Sequence, residues 1–174
     1  MNIEILLPEI EMIKDADLRE KTLAVVEDAL KMGGWTCDDL DRIPFTMLIE
    51  KTPVSFLTHT RAVTEVSIKN AEILNRYYGD NFVDMDVVIS GALLHDIGKL
   101  LEYKESNGKF VLSESAKYLR HPISGAALAY KHGIKDSVVH IIAMHSKEGD
   151  SSKRTKEGII IHYADFVNFE TLRA

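Results

Sequence analysis

Leu93-Leu94-His95-Asp96-Ile97-Gly98-Lys99-Leu100 is the stretch whose reading decides the fold. It is preceded by Val87-Val88-Ile89-Ser90-Gly91-Ala92, so an apolar element delivers a histidine and an aspartate side by side at its end. On periodicity alone the run suits a buried strand or a buried helix. A cap at Asp84 or Asp86, the small Gly91-Ala92 pair and the polar residues directly after it favour a helix covered on all sides. Burying His95 and Asp96 without partners would cost on the order of several kcal/mol, so they should be paired or bound to metal. Neighbouring residues point about 100° apart on a helix. The two can therefore grip one ion only near a helix end, or as adjacent ligands from the side. An aspartate has two oxygens and can bridge two ions, which an imidazole cannot.

The flanking chain reads as mostly helical. Asp15 to Met32 places Leu18, Val25, Val26, Ala29 and Leu30 on a helical period and stops at Gly33-Gly34. An irregular stretch with Pro44 and Pro53 follows. Ser55 or Thr58 opens a helix that runs to Tyr78 and stops at Gly79. Between Leu100 and Leu119 the helical signal is weakest, and Asn107-Gly108 predicts a short hairpin or ordered loop within 101–119. Pro122 stands in the first turn of a helix ended by Gly133, and Asp136 is expected to cap the next one, through Met144. A basic loop over 146–156 carries Lys147, Lys153, Arg154 and Lys156, and a last helix covers Ile159 to Phe169. The predicted fold is all-α, a compact helical bundle in a single domain. Residues 1–54 are expected as a helical extension packed on a core of 55–170. Trp35, Phe45, Tyr77 and Tyr78 are expected to pack the core.

Composition narrows the function. Hydrophobic residues are 45% and charged residues 28% of the 174, as in an ordinary soluble domain. No apolar run reaches membrane-spanning length, and the N-terminus lacks the pattern of a signal peptide, so a cytoplasmic location is expected. A net charge of −6 weighs against broad electrostatic capture of nucleic acid, although a local basic patch could hold a small phosphorylated ligand. The one cysteine, Cys37, excludes an internal disulfide and any cysteine-based metal cluster, and it is expected to be a buried or half-buried thiol. Seven histidines remain, the commonest metal ligand and the commonest general acid or base.

Their positions suit a site facing His95-Asp96. His59 opens one helix, His121 precedes Pro122 where another begins, and His145 ends a third. Asp165 interrupts the apolar run from Ile159 to Val167, where a carboxylate is seldom left alone. The other three read mostly as structural. His132 sits at a helix C-terminus, where positive charge favours the dipole. His140 faces about 140° away from His145 on one helix. His162 lies on the face of Asp165 and could support the site from behind it.

The ordered set His59-Thr60-Arg61-Ala62-Val63, Leu94-His95-Asp96-Ile97-Gly98-Lys99, His121-Pro122, Met144-His145-Ser146 and Tyr163-Ala164-Asp165 resembles the HD-domain superfamily of metal-dependent phosphohydrolases, over about residues 55 to 170. The resemblance implies His59, His95, Asp96 and Asp165 as the basic metal positions. It adds His121 and His145 in members with two metals, which makes a dinuclear site with Asp96 bridging the preferred reading. It also implies Asp96, Lys99, His121 and His145 as the residues of catalysis. Such a donor set suits one or two ions of Mn, Fe, Co, Ni or Zn better than Ca or an all-oxygen Mg site. Two metals can hold a phosphate between them and activate a water. Lys99 could neutralise a phosphate oxygen, and the 146–156 loop could close as a basic lid.

The implied activity is hydrolysis of a nucleotide or another small phosphomonoester or phosphodiester. Di-iron oxygenation, known in the same superfamily, and a nucleotide-binding regulatory module are the competing expectations. The segment from His95 to Pro122 also resembles the HD domains of some 3′–5′ exoribonucleases. With 174 residues there is no room for the separate nucleic-acid-binding domain those carry, so no stable nucleic-acid complex is expected. A homodimer is compatible with all of these readings.

Overall fold

The computed structural model describes residues 2–174. Its elements, in order, are helices α1 (Ile3–Leu6), α2 (Ala16–Gly33), α3 (Phe56–Tyr78), α4 (Met85–Leu94) and α5 (Lys99–Glu102), the strands β1 (Tyr103–Ser106) and β2 (Lys109–Leu112), then α6 (His121–Lys131), α7 (Asp136–Met144) and α8 (Lys156–Thr171), with short 3-10 turns between. The all-α expectation holds, and the two-stranded antiparallel ribbon is the hairpin foreseen at 101–119. Asn107 and Gly108 both take positive φ, 53° and 71°, as a tight hairpin turn matched to strand twist requires.

Helix α4 is the axis of the molecule. Asp84 caps it, accepting from the backbone N–H groups of Asp86 and Val87, and every residue from Val87 to Leu94 is buried. Helices α2, α3, α7 and α8 surround it. Gly91 lets α7 and α8 approach, since a Cβ there would lie 3.0 Å from side-chain atoms of both Ile141 and Ile161. Helix α2 is capped by Asp15 and closed by Gly34 in the left-handed conformation, and it sends Leu18, Val25, Val26, Ala29 and Leu30 into the same apolar cluster. Across the contact with α4, Thr22 and Ser90 share a buried hydrogen bond of 2.8 Å. The cluster is continuous from Ile3 to Ala164, so the first third of the chain supports the site segment directly.

Several expectations shift in detail. Lys135, not Asp136, occupies the cap position of α7, and no side chain caps that helix; Asp136 is its first residue. Helix α8 begins earlier than Ile159, because Thr155 accepts from the N–H of Gly158 and opens it at Lys156. Tyr77 and Tyr78 do not pack the core. They stand at the C-terminal end of α3, 73% and 67% exposed, and Tyr78 meets Phe82 edge-on. Trp35 is buried as foreseen, and its indole N–H donates to the Leu100 carbonyl at 2.8 Å. Cys37 is half-buried. No helix among the described residues is long and apolar enough to cross a membrane.

The hairpin base carries a pH dependence. Burial pushes the Tyr103 phenol up to about 12, outweighing the nearby Lys99 ammonium. The folded chain therefore keeps a proton that the unfolded chain loses near pH 10. Stability from this group is complete below pH 10 and disappears as pH rises towards 12, by roughly 2 to 3 kcal/mol. The melting temperature should fall over that interval, and by a smaller amount in Tyr103→Phe. Equal pH profiles for the two proteins would refute this assignment.

Candidate metal centre

Four helix ends meet around Asp96. His59 lies in the first turn of α3, behind the Ser55 cap, and His95 and Asp96 follow directly on α4. His121 is the first residue of α6, His145 follows α7, and Asp165 lies within α8. Asp96 is 2% exposed, and its two oxygens face different pairs of histidines. Oδ2 lies 3.4 Å from His59 Nε2 and 3.3 Å from His95 Nε2. Oδ1 lies 3.3 Å from His121 Nε2 and 3.5 Å from His145 Nε2. Asp165 Oδ1 completes the first side at 3.2 Å from His59 Nε2. All six residues singled out from the sequence thus converge, as the triads His59–His95–Asp165 and Asp96–His121–His145.

Hydrogen bonding decides which ring nitrogen is free. His95 Nδ1 donates to the Ala92 carbonyl at 2.6 Å, and His145 Nδ1 donates to the Ile142 carbonyl at 2.9 Å. His121 Nδ1 donates to Glu102 Oε2 at 3.0 Å. A carbonyl or carboxylate oxygen only accepts, so each ring carries a proton on Nδ1, and in its neutral form turns a bare Nε2 inward. His121 and His145 turn Nε2 towards Asp96 Oδ1 at 3.3 and 3.5 Å, and His145 Nε2 and Asp96 Oδ1 are buried without a hydrogen-bond partner. Acceptors facing acceptors in a buried cluster are costly unless a cation lies between them. The donor set therefore fits a metal, and its imidazole content suits a transition metal.

The electrostatics are consistent with this arrangement. Burial pushes the Asp96 carboxyl up, but the Lys99 ammonium beside it outweighs this and holds Asp96 well below the usual carboxylate range. Asp165, against the same burial, is brought to about 2 chiefly by its hydrogen bond from His59. Both are ionised at neutral pH. Burial lowers His121 despite Glu102, which keeps that ring neutral and available as a ligand.

Two sequence expectations place differently. Lys99 does not project towards open space. It is 9% exposed, and its ammonium donates to Asp96 Oδ2 at 2.6 Å and to the Phe45 carbonyl at 2.7 Å. The basic loop is only partly free to act as a lid. Arg154 turns inward, donating to the Met144 and Ser146 carbonyls at 2.7 Å each, and Lys156 binds the Phe82 carbonyl and covers the Phe82 ring. Outer-layer residues were the ones sequence reasoning missed. Phe45 stacks on His59 with ring centroids 4.4 Å apart, and Glu102 backs His121. A histidine at a helix C-terminus whose Nδ1 reaches the carbonyl three residues back is the signal that His95 and His145 share. His162 Nδ1 donates to the backbone carbonyl of His145 at 2.6 Å, behind the site. His132 pairs with Asp28 at 2.9 Å and takes no part in it.

The family model described as HD domain matches residues 56–168. The chain is 29% identical over 167 residues to a dihydroneopterin 2′,3′-cyclic phosphate phosphodiesterase of Methanocaldococcus jannaschii, an alignment covering 89% of this chain and 64% of that protein. It is 30% identical over 101 residues to a ribonuclease Y of Acidothermus cellulolyticus, covering 58% of this chain and 18% of that protein. The chain thus spans 64% of the first relative's length and a small part of the second's. No solved structure gives a significant match.

Proposed function

The chain belongs to the HD domain family, and on that premise we propose that it is a metal-dependent phosphodiesterase of small phosphorylated molecules, with cyclic phosphates as the first substrates to try. The observation that carries the reading is the pair of ligand triads joined through the two oxygens of Asp96. One face, His59, His95, Asp165 and Asp96 Oδ2, would hold one divalent ion. The other, His121, His145 and Asp96 Oδ1, would hold a second with fewer protein donors and hence more room for substrate. Bound there, divalent transition metals supply Lewis acidity towards a phosphoryl oxygen and activate water at neutral pH.

The chain's own residues then have separable tasks. Lys99 neutralises Asp96 from the protein side and keeps that carboxylate ionised and aimed at both triads. Arg120, half-exposed and one residue before His121, is the cation placed to meet a substrate anion. The relatives named above, a cyclic phosphate phosphodiesterase and a ribonuclease, both cleave phosphodiesters, which supports hydrolysis over oxygenation.

The test is turnover by the purified chain, stripped and reloaded separately with Mn, Fe, Co, Ni or Zn. The panel is 2′,3′-cyclic nucleotides, a pterin cyclic phosphate, linear dinucleotides and phosphomonoesters. A cyclic phosphate should open to a phosphomonoester at least about a hundredfold faster than in the stripped protein, since metals contribute several kcal/mol to such steps. Inactivity towards the whole panel with every metal would remove the proposal.

A further inference from the structure

Glu102 is a buried carboxylate to which the proposed chemistry gives no task. It ends α5, and it is 3% exposed. Its Oε2 accepts from His121 Nδ1 at 3.0 Å and from the His121 backbone N–H at 3.1 Å, while its Oε1 accepts from Arg120 Nε at 2.7 Å. Three donors on one buried carboxylate keep it charged and fix its orientation.

The four site histidines differ in what stands behind them. His95 and His145 are backed by neutral carbonyls, and His59 Nδ1 is buried with no partner. His121 alone among them is backed by a carboxylate. It belongs to the triad that is poorer in charge. Asp96 is the only carboxylate there, and Asp96 also serves the other triad and Lys99. A carboxylate behind an imidazole fixes its tautomer and makes it a stronger donor to a metal.

We propose that Glu102 is a positioning residue for the second ion: by holding His121 as the Nδ1–H tautomer and adding negative charge behind it, Glu102 sets the affinity of the Asp96–His121–His145 triad for a divalent transition metal and leaves the His59–His95–Asp165 triad alone. The inference rests on the dinuclear reading above. It does not depend on which substrate is cleaved.

The experiment is a titration of the metal-stripped chain with Co(II), followed by its visible spectrum and by metal analysis. The unmodified chain should bind in two steps. In Glu102→Gln the first step should be unchanged and the second weakened about 10- to 100-fold, as for other outer partners of ligand histidines. An amide has one acceptor oxygen, so its NH2 must face either Arg120 or the His121 N–H groups, and one bond is lost whichever way it turns. Arg120→Gln breaks the other ion pair of the same carboxylate but leaves both His121 N–H bonds to it, and it should keep both steps within about fivefold, since the Arg120 side chain is half-exposed and water can take its place. An unweakened second step in Glu102→Gln would overturn the proposal. So would equal losses in the two variants, which would make Glu102 a mere anchor for the loop.

If Glu102→Gln does not fold, the unmodified Zn-loaded chain still decides. The imidazole 15N shifts of His121, assigned by their loss in His121→Gln, should report a proton on Nδ1; a proton on Nε2 overturns the proposal. A chain that takes up one ion only would overturn both this inference and the dinuclear reading. Two ions that depend on Glu102, in a chain that cleaves no phosphodiester, would sustain this inference and remove the proposed activity.

Discussion

Asp96→Asn should abolish dinuclear metal binding, lower hydrolysis at least about a thousandfold, and destabilise the metal-free chain. The first two effects follow from geometry. Asp96 is the carboxylate whose oxygens reach both triads, Oδ2 towards His59 and His95, Oδ1 towards His121 and His145. An amide can offer its oxygen to one side only and must turn an NH2 towards the other, where it cannot ligate. The stoichiometry should drop from two ions to one or none, and losing several kcal/mol of metal-derived stabilisation is worth three or more orders of magnitude in rate.

The third effect comes from Lys99. Its ammonium is held in the interior by Asp96 Oδ2 and the Phe45 carbonyl, and burial alone would push its proton off. Removing the counter-charge leaves a buried cation short of a partner, which costs about 3 to 5 kcal/mol. Adding Lys99→Met to Asp96→Asn should therefore restore most of the lost melting temperature and none of the metal binding. A double variant no more stable than Asp96→Asn would show that the ion pair is not what the site's stability rests on. Two ions bound at unmodified affinity in Asp96→Asn would dispose of the bridging role.

The six candidate ligands were legible in the sequence because their signals are local. Each stands at a helix boundary or interrupts an apolar run, and their order matches one family pattern. Helix α4 was legible for a similar reason, since an aspartate cap followed by eight buried residues has few other solutions. What stayed hidden depends on distances across the fold. Nothing near Glu102 in the chain reveals that it meets His121, nineteen residues on. Nor does Phe45, in an irregular stretch, announce that its ring covers His59 and its carbonyl binds Lys99. A lysine beside a metal motif looks free in one dimension, so Lys99 reads in the sequence as a substrate contact. The fold turns it back onto Asp96, where two acceptors meet it. The basic loop is only partly free for the same reason, because the carbonyls at the end of α7 capture Arg154.

Gly98→Ala should cost the second ion while sparing the first. Gly98 has φ −64° and ψ −17°, which any residue can adopt, so its role lies in contact and not in backbone freedom. A Cβ there would lie 2.0 Å from the His121 carbonyl oxygen, 2.7 Å from Ser124 Oγ and 2.8 Å from the Gly125 N. Two of those atoms are backbone in the first turns of α6, and they cannot swing aside as a side-chain tip can. Helix α6 must therefore move away by about an ångström, at a cost of about 1 to 3 kcal/mol or more. His121 is its first residue, and a ligand displaced that far no longer meets the geometry a site requires, which is held to about half an ångström. His59, His95 and Asp165 lie on or beside α3, α4 and α8, so the first triad should keep its ion. Activity should fall about a hundredfold, the usual consequence of misplacing a reacting group by that distance. Gly125→Ala is the matched comparison. Its Cβ would lie 3.1 Å from the Gly98 backbone N and 3.1 and 3.2 Å from the Ile142 and Ile97 side chains, which calls for a shift of only a few tenths of an ångström. That variant should bind both ions with a modest loss of stability. A Gly98→Ala protein with two ions and an unchanged melting temperature would mean that α6 is not seated on the His-Asp-Ile-Gly-Lys turn as described, and that the glycine there serves some purpose other than bringing His121 to Asp96.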